Sequence, residues 1–372
     1  MKKGKLILFI AVLLTAAYAN AQGLTTAPNG GNKKASVTER IGITDVTISY
    51  NRPGVKGREG KIYGTPIVHY GYTDLGFGTS KASPWRAGAN ENTTIEFKND
   101  VKIEGKDLAA GKYGFFVAMG ADEATLIFSK NSTSWGSFFY DPKDDALQVK
   151  VKPVKLDQSV EWLKYEFEGQ KENSAVIALQ WEKVKIPFTV EVDLVKTQIE
   201  SFRRELKSNK GFDADAWAQA AQFCVQNNAN LDEALQWADY AIGGAFVGKK
   251  SFTTLSTKAA VLEKLGKQSE ADALMNEALP LGQVQEVHQY GRTLLSRGKK
   301  DEAFKVFKAN ADKNPNQFTT LMGLARGYSA LGDYKNALKN AKQALPIAPN
   351  AQNKTAVEGM IKKLEEGKDI NQ

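Results

Sequence analysis

The segment FTTLMGLARGYSALGDYKNALKNAKQALPIAPN, residues 318–350, decides the architecture of the second half of the chain. Leu321, Leu324, Ala325 and Tyr328 recur at helical spacing, and so do Tyr334, Ala337, Ala341 and Ala344. Leu331-Gly332 separates the two runs and Pro349 follows the second. A period near 3.6 on both sides of a glycine reads as two amphipathic helices joined by a tight turn. Moving back 34 residues gives Val287, Tyr290, Gly291, Leu294, Gly298, Ala303, Phe307 and Pro315 at the same positions. An earlier copy holds Leu255, Ala259, Leu262, Leu265-Gly266, Ala271, Met275 and Ala278, with its link to the next helix two residues shorter. A first, more degenerate copy holds Ala218, Ala221, Val225, Leu231, Ala234, Ala238 and Ala241, and turns at Asn227-Asn228-Ala229-Asn230. A helix pair cannot bury its apolar face alone, so such units stack. Small residues at matched positions let paired helices approach, and Gly266, Gly298 and Gly332 are expected in the left-handed conformation. Val357, Met360, Ile361 and Leu364 mark a last, capping helix.

These spaced positions resemble the tetratricopeptide family, most closely in the last three copies. The resemblance implies a helical superhelix over residues 211–372, with a concave face made by the first (A) helix of each pair. Repeat arithmetic puts Gln285, His288, Arg292, Thr319 and Arg326 on that face. Arg292 and Arg326 share one repeat position. They read either as a ladder for an acidic group or as two solvated arginines. The asparagines of the family's dicarboxylate clamp are missing, so a chaperone-tail specificity is not expected.

Upstream the period is two. Val46, Ile48 and Tyr50 alternate with Thr47 and Ser49; Ile95 and Phe97 alternate with Thr94 and Glu96. Further runs at residues 101–103, 113–117, 125–128, 146–154, 162–167, 175–181 and 187–194 predict nine or ten short strands. The expected fold is an antiparallel β-sandwich or jelly-roll-like domain over residues 35–193, behind a polar leader at residues 22–34. A helix at residues 194–210, carrying Leu194, Ile199, Phe202 and Leu206, joins it to the repeats.

Two Gly-rich stretches, residues 51–64 and 69–92, interrupt the alternation, and long loops of this kind are often binding loops. SYNRPGVKGREGKIYG, SPWRAGANENTTIEFKNDVKIEGKDLAAGKYGFF and the Ser134-Trp135-Gly136 and Phe139-Tyr140 segments resemble a family of secreted bacterial domains, domain of unknown function 2911. The resemblance runs from about Ala35 to Asp193 and implies an exported β-domain with no established activity. One departure is a longer stretch between Gly71 and Ser83. Arg52, Lys56, Arg58, Trp85, Arg86, Asn90 and Trp135 are the candidate ligand residues: arginine forks and flat aromatic faces suit an anionic or sugar-like ligand. The same residues also read, on the more ordinary account, as core tryptophans and arginines that satisfy loop carbonyls.

Catalysis has little to build on. The 372 residues hold two histidines, His69 and His288, and one cysteine, Cys224. No metal site, Ser-His-Asp triad or disulfide is expected, and no cofactor is implied. Asp74, Glu91, Glu96, Asp141, Asp144 and Asp145 include no evident acid–base pair. Ser134 lacks the flanking glycines of a nucleophile elbow, and Gly76-Phe77-Gly78 is not a phosphate loop.

Residues 1–21 read as a signal peptide: Lys2, Lys3 and Lys5, an apolar run from Leu6, and a small-residue cleavage site ending at Ala21. The run is shorter than the roughly 20 residues that span a bilayer. Export to a periplasm or the exterior is expected, and loss of three lysines takes the net charge from +8 to +5. No basic run suggests nucleic acid. The residues favour a non-enzymatic exported protein that binds a partner protein or peptide through its repeats. A secreted hydrolase with its site in the β-domain loops is the alternative.

Overall fold

The computed structural model describes residues 31–372. The signal peptide with its cleavage site, and most of the expected leader, lie outside the described residues. The chain divides into two compact units after Thr197. No helix among the described residues is long and apolar enough to cross a membrane.

The first unit is an antiparallel β-sandwich. Its strands are β1 (Lys33–Ile41), β2 (Thr44–Arg52), β3 (Thr94–Phe97), β4 (Val101–Ile103), β5 (Lys106–Leu108), β6 (Gly111–Met119), β7 (Ala124–Ser129), β8 (Asp145–Val151), β9 (Val154–Glu168) and β10 (Ser174–Glu191). One sheet has the order β1-β2-β3-β6-β7-β8 and the other β5-β4-β10-β9. The alternating residues seen in the sequence point inward: Val46, Ile48, Ile95, Phe97, Phe115 and Phe128 face Ile103, Leu163, Ile177, Leu179 and Phe188 across one core.

Two expected strands, at residues 175–181 and 187–194, are one strand, β10. A bulge at Glu182, whose φ is +51°, shifts the register against β9. The core positions are Ile177, Leu179 and Trp181 before it and Ile186, Phe188 and Val190 after it. The inward-facing positions change parity across Glu182, so a single strand reads as two. β1, which carries no clear alternation, was not expected; it pairs with β2 along its whole length.

The second unit is a stack of helical hairpins. Helix α1 (Leu194–Glu205) leads into it, and its Phe202 meets Phe223 edge to face, with ring centroids 5.4 Å apart. The hairpins are α2 (Ala214–Asn227) with α3 (Leu231–Gly243), α4 (Phe252–Lys264) with α5 (Gln268–Ala278), α6 (Val284–Ser296) with α7 (Lys300–Lys313), and α8 (Phe318–Ala330) with α9 (Tyr334–Ala344). Helix α10 (Ala351–Glu365) follows and buries Val357 and Leu364. Every A helix ends with the same bond: Ala229 N to Cys224 O, Lys267 N to Leu262 O, Lys299 N to Leu294 O, and Asp333 N to Tyr328 O, at 2.9–3.0 Å. Gly266, Gly298 and Gly332 take the left-handed conformation as expected, and Asn228 takes it in the first hairpin. At Gly291 the backbone runs so close to Phe307 that a Cβ would lie 2.8 Å from ring atoms.

Candidate functional site

The loops of the β-domain come first. Residues 53–93 do not stand off as an open loop. Beyond Gly114, where β3 ends, they supply the neighbours of β6: Phe115 N donates to Thr93 O, Trp85 and Val117 exchange both backbone bonds, and Gly71 N donates to Met119 O. Trp85 is therefore drawn into the core. It is 5% exposed and stacks on Trp181, with centroids 6.1 Å apart and planes at 19°. It presents no face to a ligand, which corrects its candidacy.

Most of the basic candidates are engaged in closing the sandwich. Arg52 Nε donates to Leu163 O at 2.8 Å, and Arg58 donates to Gly54 O and Val55 O at 2.6 and 2.9 Å. Lys56 N donates to a Glu161 carboxylate oxygen, and its ammonium lies 5.9 Å from the Trp162 ring centre. Together with Pro53 and Val55, which bond to β9, these residues tie the end of β2 to the opposite sheet. Arg52 and Arg58 satisfy carbonyls there, and do not converge on a pocket with Trp85.

Arg86, Asn90 and the segment at Trp135 do come together. Arg86 Nη1 donates to Asn90 O at 2.7 Å, and its guanidinium lies over Phe138, 4.7 Å from the ring centre. Gly136 packs against that guanidinium. Burial lowers the Arg86 pKa, and no carboxylate forms an ion pair with it among the described residues. Trp135 is 55% exposed. Asn92, buried nearby, donates to Asn131 O, while its Oδ1 has no partner.

The carboxylates a hydrolase would need are separately engaged. Glu91 pairs with Lys34, Asp74 with Lys81 and Glu96 with Lys98. Asp145 accepts from Tyr140 and Gln148, and burial raises its pKa. No group of three or more potential metal ligands occurs among the described residues.

In the repeats, the residues expected on the A-helix face meet across α6 and α8. Thr319 Oγ1 donates to Gln285 Oε1 at 3.3 Å. His288 is 7% exposed, packs on Phe307 with centroids 5.4 Å apart, and leaves Nδ1 without a partner beside Gly323. Burial, then Arg326 and Arg292, hold its pKa down to about 4. Arg326 is half-buried, its pKa lowered by burial and by Arg292. Its guanidinium is steadied by Asn371, whose Oδ1 accepts from Nη1 at 3.4 Å and whose Nδ2 donates to Arg326 O. Asn371 lies outside the repeat pattern and carried no signal in the sequence.

A cleft of about 540 Å³ opens beside this face, between the second and third hairpins. Phe252, Ala259, Met275, Tyr290 and Leu294 form its apolar wall, with Gln285 and Gln289 at its edge. Polar bridges span it at both ends: Thr253 to Glu286 at 3.4 Å, and Arg297 to Glu263 at 2.6 Å. Sequence periodicity identified Met275, Tyr290 and Leu294 as seam residues. It contained nothing on how far apart the hairpins stand. The two-residue shortfall between Gly266 and Gly298 was the one available signal.

Residues 32–190 match the family described as Protein of unknown function (DUF2911). None of the curated proteins matches the chain. Among solved structures, it is similar to YrrB, titled a TPR protein with an unusual peptide-binding site: 18% identity, 44% of this chain and 84% of that one, TM-score 0.29. It is also similar to the C-terminal part of a TPR repeat-containing protein from Cytophaga hutchinsonii, at 15% identity, 46% and 67% coverage, and TM-score 0.34. A third is a tetratricopeptide repeat protein from Parabacteroides merdae, at 15% identity, 47% and 70% coverage, and TM-score 0.31. The β-sandwich is thus a domain of the DUF2911 family, and tetratricopeptide-type hairpins follow it in the same chain.

Proposed function

We propose that this is an exported, non-enzymatic protein whose hairpins hold a partner protein or peptide on the A-helix face, with an acidic group of the partner at Arg292 and Arg326. One observation carries the reading. Arg326, its pKa lowered by burial and then by the neighbouring charge of Arg292, forms no ion pair among the described residues, and neither does Arg292. Many other surface cations of the hairpins are paired, as Arg203 is with Glu233 and Arg297 with Glu263. A half-buried arginine without an ion-pair partner, beside a second, exposed one, favours a carboxylate, which a fork of N–H groups grips better than water does.

The test is binding of a fluorescent oligoglutamate peptide to the purified chain, beside capture of partners from envelope extracts. Arg292→Glu with Arg326→Glu is expected to abolish both, with folding checked by circular dichroism. Arg292→Glu alone, at an exposed position, is expected to weaken both. Equal binding by the wild type and both variants would sink the proposal.

One observation favours a ligand on the β-domain as well. Arg86 is a half-buried cation without a carboxylate, beside the exposed Trp135. Calorimetric titration with a uronic-acid oligosaccharide tests it, and Arg86→Gln should remove any heat of binding. No heat with the wild type would dismiss this ligand class.

A further inference from the structure

The link between the first two hairpins departs from the repeat. The left-handed residues Asn228 and Gly266 are 38 positions apart, against 34 for Gly298 and Gly332. The extra length falls in residues 244–250, GAFVGKK. Within it Phe246 is 100% exposed and has a φ of +63°. An aromatic side chain is strained in that region of backbone space, and a fully solvated ring forgoes burial. The segment is nonetheless held in place. Gly248 N donates to Gly244 O at 2.7 Å, Lys249 N to Ala241 O at 2.9 Å, and Thr254 Oγ1 to Lys249 O at 2.7 Å. The result is a built finger with an aromatic tip. Lys250 pairs with Glu277, whereas Lys249 is exposed and has no ion-pair partner among the described residues.

The cleft between α4 and α6 has complementary chemistry. Its wall is apolar, and two of its acids, Asp272 and Glu286, form no ion pair among the described residues. Asp272 is bonded to Gln268, and Glu286 to Gln283 N and Thr253. An aromatic side chain followed by a lysine suits such a cleft, and this chain carries one. Full exposure of Phe246 shows that it does not occupy its own cleft.

We propose that the chain self-associates head to tail, Phe246 of one copy entering the cleft of a second, with Lys249 beside Asp272 and Glu286. The finger and the cleft are different patches, so the contact is heterologous. Each added copy leaves one of each free, and association continues as a ring or an open chain.

The test is the mass of the full purified chain by analytical ultracentrifugation over a wide concentration range. The wild type is expected to grow in mass with concentration. Phe246→Ser, which removes the tip, and Ala260→Trp, which fills the cleft, are each expected to weaken this by about tenfold or more. An equimolar mixture of the two variants should form a dimer and stop there, because one intact finger and one intact cleft remain. Lys249→Glu, at an exposed position that cannot disturb folding, should weaken association and make it less sensitive to salt. A wild type that stays monomeric throughout would overturn the proposal. So would Phe246→Ser or Lys249→Glu chains that associate like the wild type, or a mixture that stays monomeric with both variants folded by circular dichroism.

Discussion

Trp85 and Trp181 stack in the middle of the sandwich, planes at 19°, although they lie 96 residues apart in the sequence. The contact exists because the loop carrying Trp85 pairs with Val117 where β3 has run out. Trp85→Ala should therefore cost about 3–5 kcal/mol, as deletion of a buried indole does. Trp135→Ala, at an exposed position, should stay within about 0.5 kcal/mol. Denaturant unfolding followed by far-ultraviolet circular dichroism distinguishes the two. Equal costs would contradict this placement.

That loop marks where sequence legibility ends in the β-domain. Alternation exposes a strand because one face is buried and the other wet. Phe115 and Phe116 are both buried, since β6 has the core on one side and the small cluster of Ala118, Ile127 and Tyr140 on the other. Arg52 and Arg58 are equally ambiguous, because a guanidinium that satisfies carbonyls and one that awaits a ligand have the same sequence context. The repeats were more legible, because a glycine that must be left-handed recurs with the unit. The cleft was hidden, because its width depends on side-chain packing between hairpins.

Gly332 tests that recurrence. At a φ of +81° a Cβ is disfavoured, so Gly332→Ala should cost about 1 kcal/mol. Asn228→Gly, at a φ of +48°, relieves the same conflict and should leave stability unchanged or slightly raised. Thermal unfolding of the helical signal measures both. A neutral Gly332→Ala would mean that the helix end is not under this constraint.

His288 gives the hairpins a pH dependence of known sign. Its folded pKa is depressed from 6.5 to about 4, chiefly by burial, with Arg326 and Arg292 adding to it. The folded chain therefore refuses a proton that the unfolded chain accepts. Stability from this group is complete above about pH 6.5 and declines as pH falls to about 4, by a total on the order of 3 kcal/mol. His288→Leu, which keeps the volume against Phe307, should flatten that decline relative to the wild type. Parallel stability curves for the two proteins between these pH values would show that His288 is not held neutral.

Glu182 is the last test, because the parity of β10 hangs on it. Its backbone is left-handed, its side chain accepts from Gly60 N at 3.0 Å, and the register with β9 shifts on both sides of it. Deleting Glu182 removes the bulge. Plain alternation from Trp181 then keeps Ile186, Phe188 and Val190 on the inner face and Lys185 on the outer one. The core pattern survives, so the deletion variant should still unfold cooperatively in its β signal, weakened by loss of the bond to Gly60 N. Glu182→Gly keeps the chain length and removes the Cβ conflict, at the loss of one hydrogen bond of about 1 kcal/mol. It should fold with near wild-type stability. A deletion variant that loses cooperative unfolding would show that the left-handed step at Glu182 is needed to hold β10 together as one strand.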